Sequence, residues 1–156
     1  MVIQHLKADH RRYLDGVLRR VTHIPVVRVT KNIPITTSTV YILAENKIMT
    51  VKHNCLLVRD RMPREISNFA VDIFFSSLAN DFKYRAIGII LSGGGTDGAK
   101  GVHLISKNGG MVMVQEPPAA LYPYMPNSAI QMGHPTNILT PENLAKALLT
   151  HTEKFM

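Results

Sequence analysis

The sequence has no tryptophan and a single cysteine, Cys55, among its 156 residues. One cysteine excludes an internal disulfide and is typical of a reducing compartment, so we expect a cytoplasmic protein. No apolar run approaches the roughly 20 residues that span a bilayer. Charged residues begin at Lys7, too early for the apolar core of a signal peptide. These absences argue against a disulfide-stapled, secreted or membrane-inserted protein.

The charge of the chain is strongly of one sign. Eighteen lysines and arginines stand against 11 acidic residues, for a formal net charge of +7, which favours acidic partners. Because no aromatic residues alternate with the basic ones, nucleic-acid binding is not indicated. The charges are more typical of a solvated face or a dock for an acidic protein surface. With 46% hydrophobic residues, we expect one folded domain over residues 1–156.

The hydrophobic pattern predicts an α/β fold. An amphipathic helix is expected over residues 9–21, followed by a small antiparallel meander formed by residues 40–44, 48–52 and 55–59. After Val71, apolar residues at helical spacing alternate with short apolar runs, which is typical of βα units. We therefore predict a mainly parallel, doubly wound, Rossmann-like sheet with helices on both faces and a small antiparallel hairpin insertion.

Glycine, proline and threonine mark the expected helix ends in the second half. Gly109 is predicted to end the helix over residues 97–108 as a left-handed cap, and Gly133 to end a helix over residues 128–132. Thr140 precedes Pro141 and is expected to cap the last helix.

The most informative segment is Leu-Ser-Gly-Gly-Gly-Thr-Asp-Gly-Ala-Lys-Gly at residues 91–101. It follows the apolar run 86–90, so a buried strand leads into a glycine-rich turn that carries Asp97. Sites in open α/β sheets lie at the carboxyl ends of strands. An aspartate in such a turn also bonds its own backbone or caps the following helix, so a structural role stays open. The glycines could let backbone N–H groups approach an oxyanion or a phosphate, although no Gly-Lys-Ser/Thr follows as in a nucleotide-binding loop.

A second candidate is His5, which follows the apolar residues 1–3 and could face the same cleft as Asp97. A histidine and an aspartate are two members of a hydrolytic triad, whose third member is a nucleophile. Ser92, Ser38 and Cys55 are the hydroxyl and thiol candidates, and none lies in a Gly-x-Ser-x-Gly elbow. The other histidines lack zinc-ligand spacing, so no metal is expected.

Taken together, these segments resemble the catalytic domain of the CheB family, the protein-glutamate methylesterases of bacterial chemotaxis. The resemblance is carried by Val2-Ile3-Gln4-His5, by the strand and glycine turn of residues 86–101, by Gly109-Gly110 with Val114-Gln115-Glu116, and by Met125-Pro126-Asn127-Ser128-Ala129-Ile130. Residues 71–79 are similar to a further segment of the family. The match extends from Val2 to about Leu148.

The resemblance implies roles for five residues. His5 corresponds to the base of a Ser-His-Asp triad and Asp97 to its acid. Gly94, Gly95 and Met125 correspond to the oxyanion and substrate-binding region, with glycine at position 94 where methionine is common in the family. Neither a cofactor nor a metal is implied.

One part of the family pattern is absent from the sequence. Family members begin this domain with a strand ending in Gly-x-Ser-x-Gly-Gly, whose serine is the nucleophile, and the sequence contains no such motif. We therefore expect the chain as given to be essentially inactive. A missing central strand would also expose sheet edges, which favours a homo-oligomer or rearranged N-terminal residues.

Three functional hypotheses follow. The first is a methylesterase domain lacking its nucleophile segment, whose substrates are the acidic methylated helices of chemotaxis receptors and whose regulator is a histidine kinase acting through a receiver domain. The second is a serine-less homologue that acts as a receptor-binding or regulatory module. The third is an unrelated phosphate-binding use of the glycine turn.

Overall fold

The computed structural model describes residues 1–4, 14–62, 65 and 69–153. His5 and the first part of the helix expected over residues 9–21 lie outside these residues. Within the described part, the elements follow in this order: α1 (Leu14–Val21), β1 (Val26–Val29), β2 (Ile33–Pro34), β3 (Val40–Leu43), β4 (Lys47–Lys52), β5 (Cys55–Asp60), α2 (Ala70–Phe82), β6 (Ile87–Ile90), α3 (Ala99–Lys107), β7 (Met111–Gln115), α4 (Tyr124–Gly133), β8 (Asn137–Leu139) and α5 (Pro141–Glu153).

The strands of the described residues form two parallel sheets and one antiparallel sheet. Strands β6, β7 and β8 form a parallel sheet in that order, with Ile90 opposite Val114 and Val114 opposite Ile138. Strands β1 and β3 form a second parallel pair, and Val2 bridges to Ile42 of β3 in the same direction. The predicted α/β fold with parallel sheets is thus confirmed.

The antiparallel insertion differs from the predicted meander. Strands β4 and β5 form a hairpin, and β2 pairs with the other edge of β5. The turn residues His53 and Asn54 both have positive φ, at 49° and 58°, as in a two-residue turn that matches strand twist. The expected membership of residues 40–44 in this meander is wrong, because β3 pairs with β1. Tyr41 and Ile42 in β3 are consecutive buried residues, the pattern of a strand covered on both faces.

Helix α2 joins two hydrophobic clusters. One cluster includes Val102, Ile105 and Val112, and the other includes Met49 and Leu56. Phe75, Leu78 and Phe82 of α2 pack against both, as does Ile3 near the N-terminus. The helix therefore connects the β6–β7–β8 side of the core to the antiparallel insertion.

The predicted helix ends are confirmed in two cases and wrong in one. Gly109 has φ of +79° and follows Asn108, the residue after the end of α3, and Thr140 Oγ1 accepts a hydrogen bond from Asn143 N at 3.4 Å. Helix α4 begins at Tyr124 and is capped by left-handed His134 rather than by Gly133. Gly133 is required by packing instead, since a Cβ there would lie 2.6 Å from Val102 Cγ2. Among the described residues, none of the helices combines the length and hydropathy of a membrane span.

Candidate active site at the glycine turn

The glycine turn, residues 91–98, connects the carboxyl end of β6 to the start of α3. Asp97 is 6% exposed, whereas Gly94 and Gly95 are exposed. Gly95 and Gly98 have φ of +83° and +102°, a region that side chains beyond glycine rarely adopt. A Cβ at Gly98 would also lie 2.9 Å from Ile90 Cδ1. The turn therefore presents an open backbone at its tip and buries its carboxylate at its base.

The carboxylate of Asp97 is fixed by the amino end of α2. Its Oδ2 accepts a hydrogen bond from Val71 N at 2.9 Å, and its Oδ1 accepts one from Asp72 N at 2.8 Å. Anionic oxygens are favoured at a helix amino end, where backbone N–H groups and the helix dipole converge. Of the structural roles weighed for Asp97, capping its own helix α3 is wrong: it caps α2.

Asp72, in the first turn of α2, makes the reciprocal contact. Its Oδ1 accepts hydrogen bonds from Gly98 N at 3.0 Å and from Gly101 N at 2.7 Å. Burial is the main cause that raises the pKa of Asp72. The N–H of Gly101 opposes this increase, and the negative charge of Asp97 adds to it. The sequence assigns Asp72 no function beyond its place in residues 71–79, which are similar to a segment of the family. The feature that could have indicated its importance is an acidic residue in the first turn of an otherwise apolar helix.

Gln115, at the carboxyl end of β7, holds the other end of the glycine turn. Its Oε1 accepts from Ser92 N at 2.9 Å, and its Nε2 donates to Ala119 O at 2.7 Å. Ser92 Oγ in turn accepts from Tyr122 N at 2.9 Å. The sequence assigns Gln115 no function of its own, although it belongs to a segment that carries the family resemblance. Its position as a polar residue at the end of a buried strand, where it is 6% exposed, is the feature that could have indicated a structural contact.

Met125, which the family resemblance assigns to the substrate-binding region, lies against the glycine turn. Met125 N donates to Gly93 O at 2.9 Å, and Gly93 N donates to Tyr122 O at 2.9 Å. A Cβ at Gly93 would lie 2.9 Å from Met125 Sδ, whereas Cβ atoms at Gly94 and Gly95 would meet none of the described residues within 4 Å. The structure therefore brings Asp97, Gly94, Gly95 and Met125 to one region.

The two remaining nucleophile candidates lie on other elements. Cys55 begins β5 of the antiparallel sheet, where its Sγ contacts Ile33 O at 3.4 Å. Ser38 lies between β2 and β3 with φ of +49°. Ser92 alone belongs to the glycine turn.

A small cavity is lined in part by Gln4, the last described residue before His5. Gln4 lines it together with Ala44, which follows β3, and Ala70, which begins α2. The cavity thus adjoins the same amino end of α2 that holds Asp97. Its basic residues are engaged: Arg28 is paired with Glu45 and lies 3.8 Å from Asp15 Oδ2, and Lys47 Nζ lies 2.7 Å from Asp60 Oδ1.

Exposed apolar side chains lie near the turn. Leu91, Leu121, Tyr122 and Tyr124 are 50% to 80% exposed, and Tyr122 is bound through its backbone to Ser92 and Gly93. Large apolar groups that cluster on a surface are typical of interaction sites. Across the part of the chain that the structure describes, no three His, Cys, Asp or Glu residues are grouped as metal ligands.

A parallel α/β sheet with a buried carboxylate in a strand-to-helix turn defines a doubly wound α/β protein with a candidate site at the carboxyl edge of its sheet. The family model for the CheB methylesterase matches residues 1–148, and the chain belongs to this family. The crystal structure of the Thermotoga maritima CheB methylesterase catalytic domain has the same fold, with a TM-score of 0.84 and 22% sequence identity. The match covers 96% of this chain and 81% of that one.

Longer bacterial proteins contain similar segments. The chain is 28% identical over 158 residues to protein-glutamate methylesterase/protein-glutamine glutaminase 1 of Rhodospirillum rubrum, covering 99% of this chain and 41% of that protein. It is 29% identical to methylesterase/glutaminase 3 of Paramagnetospirillum magneticum, covering 97% and 43%. It is 35% identical over 122 residues to a 104.1 kDa protein of Rhodobacter capsulatus, covering 77% and 12%. The chain thus spans less than half of each of these relatives.

Proposed function

We propose that this chain contains the histidine and the aspartate of the catalytic triad of a protein-glutamate methylesterase, in which Asp97 orients His5. The observation that carries the proposal is the buried Asp97 carboxylate, held by two N–H groups at the amino end of α2. Gln4, the residue before His5, and Ala70, the first residue of α2, line the same cavity, which supports the pairing. The names of the relatives support the reaction.

The reaction would be acyl transfer to a serine hydroxyl. The serine Oγ attacks the carbonyl carbon of a glutamate methyl ester while His5 takes the hydroxyl proton, and Asp97 stabilises the imidazolium that forms. The exposed backbone at Gly94 and Gly95 is suited to donate N–H groups to the tetrahedral oxyanion. His5 then protonates the departing methoxide, which leaves as methanol. Water attacks the acyl-serine by the same proton transfers, which releases the glutamate carboxylate and restores the serine.

None of the 156 residues is proposed as the nucleophilic serine of this mechanism. No serine lies in a Gly-x-Ser-x-Gly segment, and Ser92 already accepts a hydrogen bond from Tyr122 N. We infer that the serine lies on an additional segment and that the chain as given releases at most traces of methanol. The edge of β6 away from β7 pairs with none of the described strands, and it would suit such a segment or a second copy of this chain.

The proposed substrate is a methylated, acidic helix of a chemotaxis receptor. A net charge of +7 would attract such a helix, and the exposed Leu91, Leu121, Tyr122 and Tyr124 would contact its apolar side chains. A regulatory histidine kinase would act through a receiver domain outside this sequence. The alternative is a serine-less module that binds receptors without hydrolysis. A hydrogen bond between His5 and Asp97 would favour the esterase, since a binding module does not need that pair.

The first experiment is to sequence the DNA upstream of the Met1 codon and to measure methanol release from methylated receptors. An in-frame Gly-x-Ser-x-Gly-Gly segment, with activity restored when it is included, would support the proposal. His5→Ala and Asp97→Ala in that longer protein should then each abolish most of the turnover. Appreciable turnover by the 156-residue chain, lost in His5→Ala, would contradict the proposed location of the nucleophile and point to Ser92.

A further inference from the structure

The amino end of α2 is capped by the carboxylate of Asp97, in the turn before α3, and the amino end of α3 is capped by the carboxylate of Asp72 in α2. Neither Phe69, before α2, nor Gly98, before α3, makes a side-chain capping hydrogen bond. The first N–H groups of α2 bind Asp97, which precedes α3, and the N–H groups of Gly98 and Gly101 bind Asp72 of α2. Four backbone hydrogen bonds to charged acceptors therefore connect the two helix ends.

The charge of Asp72 is unfavourable where it lies. Its residue is 9% exposed, and both burial and the neighbouring charge of Asp97 raise its pKa. Asparagine is about as good a helix cap as aspartate. One oxygen, Oδ1, accepts both hydrogen bonds, so an asparagine amide oxygen could accept them as well. Asp72 therefore acts through the position of its Oδ1, which binds the residue after Asp97 as well as the first turn of α3.

We propose that Asp72 is a positioning residue that acts through Asp97. By binding Gly98 N, immediately after Asp97, it fixes the backbone that sets where the Asp97 carboxylate lies. By binding Gly101 N, it locks that turn to the first turn of α3. The role of Asp72 in hydrolysis rests on the proposed function, because Asp97 is the group that would orient the base.

Amide hydrogen exchange, resolved by residue with NMR, tests the proposal in the chain as it is. Asp72→Ala should speed exchange at Gly98 and Gly101 and also at Val71, whose acceptor is Asp97 rather than Asp72. An acceleration of roughly 10- to 100-fold corresponds to losing a hydrogen bond to a charged group. Asp72→Asn should restore protection at all three. Because Val71 is adjacent to the substitution, rates are compared with those of unstructured peptides of the same sequences.

Gln115→Ala is the matched control. It removes a buried side chain that binds the other end of the same turn, at Ser92 N, and should leave Val71 protected. Faster exchange at Gly98 and Gly101 with unchanged protection at Val71 would overturn the proposal, since Asp72 would then only cap α3. If Asp72→Ala does not fold, Asp72→Ser replaces it under the same criteria. Exchange needs no substrate, so a failure of the proposed esterase activity is a separate result.

Discussion

At the scale of single residues, the site depends on two buried aspartates with different environments. Asp97 and Asp72 each accept two backbone N–H groups from the segment that carries the other. The sequence indicated Asp97 through its glycine turn. It could not indicate that the partner element of Asp97 lies 25 residues earlier, because that pairing depends on how α2 packs against α3.

The titration of Asp72 should respond to Asp97. The charge of Asp97 contributes to the raised pKa of Asp72, so Asp97→Asn should lower that pKa toward its ordinary value of 3.8. Carboxyl ¹³C NMR measures it directly. Asp81→Asn is the control, since Asp81 lies near the other end of α2 and binds His53 N. An Asp72 pKa that is the same in both variants would show that Asp97 does not influence it.

The same shift predicts how Asp72 affects stability. Because the pKa of Asp72 is higher in the folded than in the unfolded protein, its protonation stabilises the fold. This stabilisation is fully present below pH 3.8, the ordinary pKa, and it is lost as the pH rises through the folded-state pKa. Asp72→Asn, which cannot titrate, should therefore gain stability relative to the natural chain as the pH rises through that window. Urea unfolding of both proteins at a series of pH values between about 3 and 7 tests the direction in which their difference in unfolding free energy changes with pH. A constant difference would contradict it.

Gly94 and Gly98 should respond differently to substitution. A Cβ at Gly94 meets no atom of the described part of the chain within 4 Å, so Gly94→Met should change the free energy of unfolding by less than about 0.5 kcal/mol. Gly98→Ala should destabilise the fold by about 1–3 kcal/mol, because φ is +102° and the new Cβ would contact Ile90 and Val71. Urea unfolding compares the two. A strongly destabilised Gly94→Met variant would show that the tip of the turn is less open than the structure indicates.

At the scale of elements, close contact between α2 and α3 determines the geometry of the site. A Cβ at Gly101 of α3 would lie 2.4 Å from Phe75 Cβ and 3.3 Å from Asp72 Cα. The helices can therefore approach closely only because position 101 is glycine. This approach is what brings Gly101 N to 2.7 Å from Asp72 Oδ1.

Gly101→Ala should destabilise the protein by about 1–3 kcal/mol, as overpacking does. Gly16→Ala in α1 is the matched control, because a Cβ there meets none of the described residues within 4 Å. The alanine at position 16 should be neutral or stabilise by up to about 1 kcal/mol through helix propensity. Thermal unfolding distinguishes the two variants. Equal effects would mean that Gly101 is not a packing glycine.

The sequence predicts which segments form helices and strands better than it predicts which strands pair with each other. The presence of α2, α3 and the β4–β5 hairpin follows from apolar periodicity and turn residues. The parallel partner of β3 does not, because a short apolar strand has the same pattern in either kind of sheet. Strand β8 has three residues, too few to give a periodic signal. The roles of Asp72 and Gln115 were missed because each depends on a tertiary contact.

At the scale of the whole molecule, α2 belongs to both hydrophobic clusters and also holds the site. Its Phe75, Leu78 and Phe82 connect the clusters, while its first turn binds Asp97. A substitution that loosens either side of the core therefore acts on the element that fixes the carboxylate. We expect stability and site geometry to vary together among core variants.

The mutual capping also affects the order in which the protein can assemble. As the chain emerges from the ribosome, the last residue of α2, Phe82, appears 15 residues before Asp97, whose carboxylate caps the helix. Until then the N–H groups of Val71 and Asp72 lack their native acceptor, and the helix is less stable at that end. Cotranslational folding of this region should thus wait for residues 97–101, so that α2, α3 and the site between them form in a single late step.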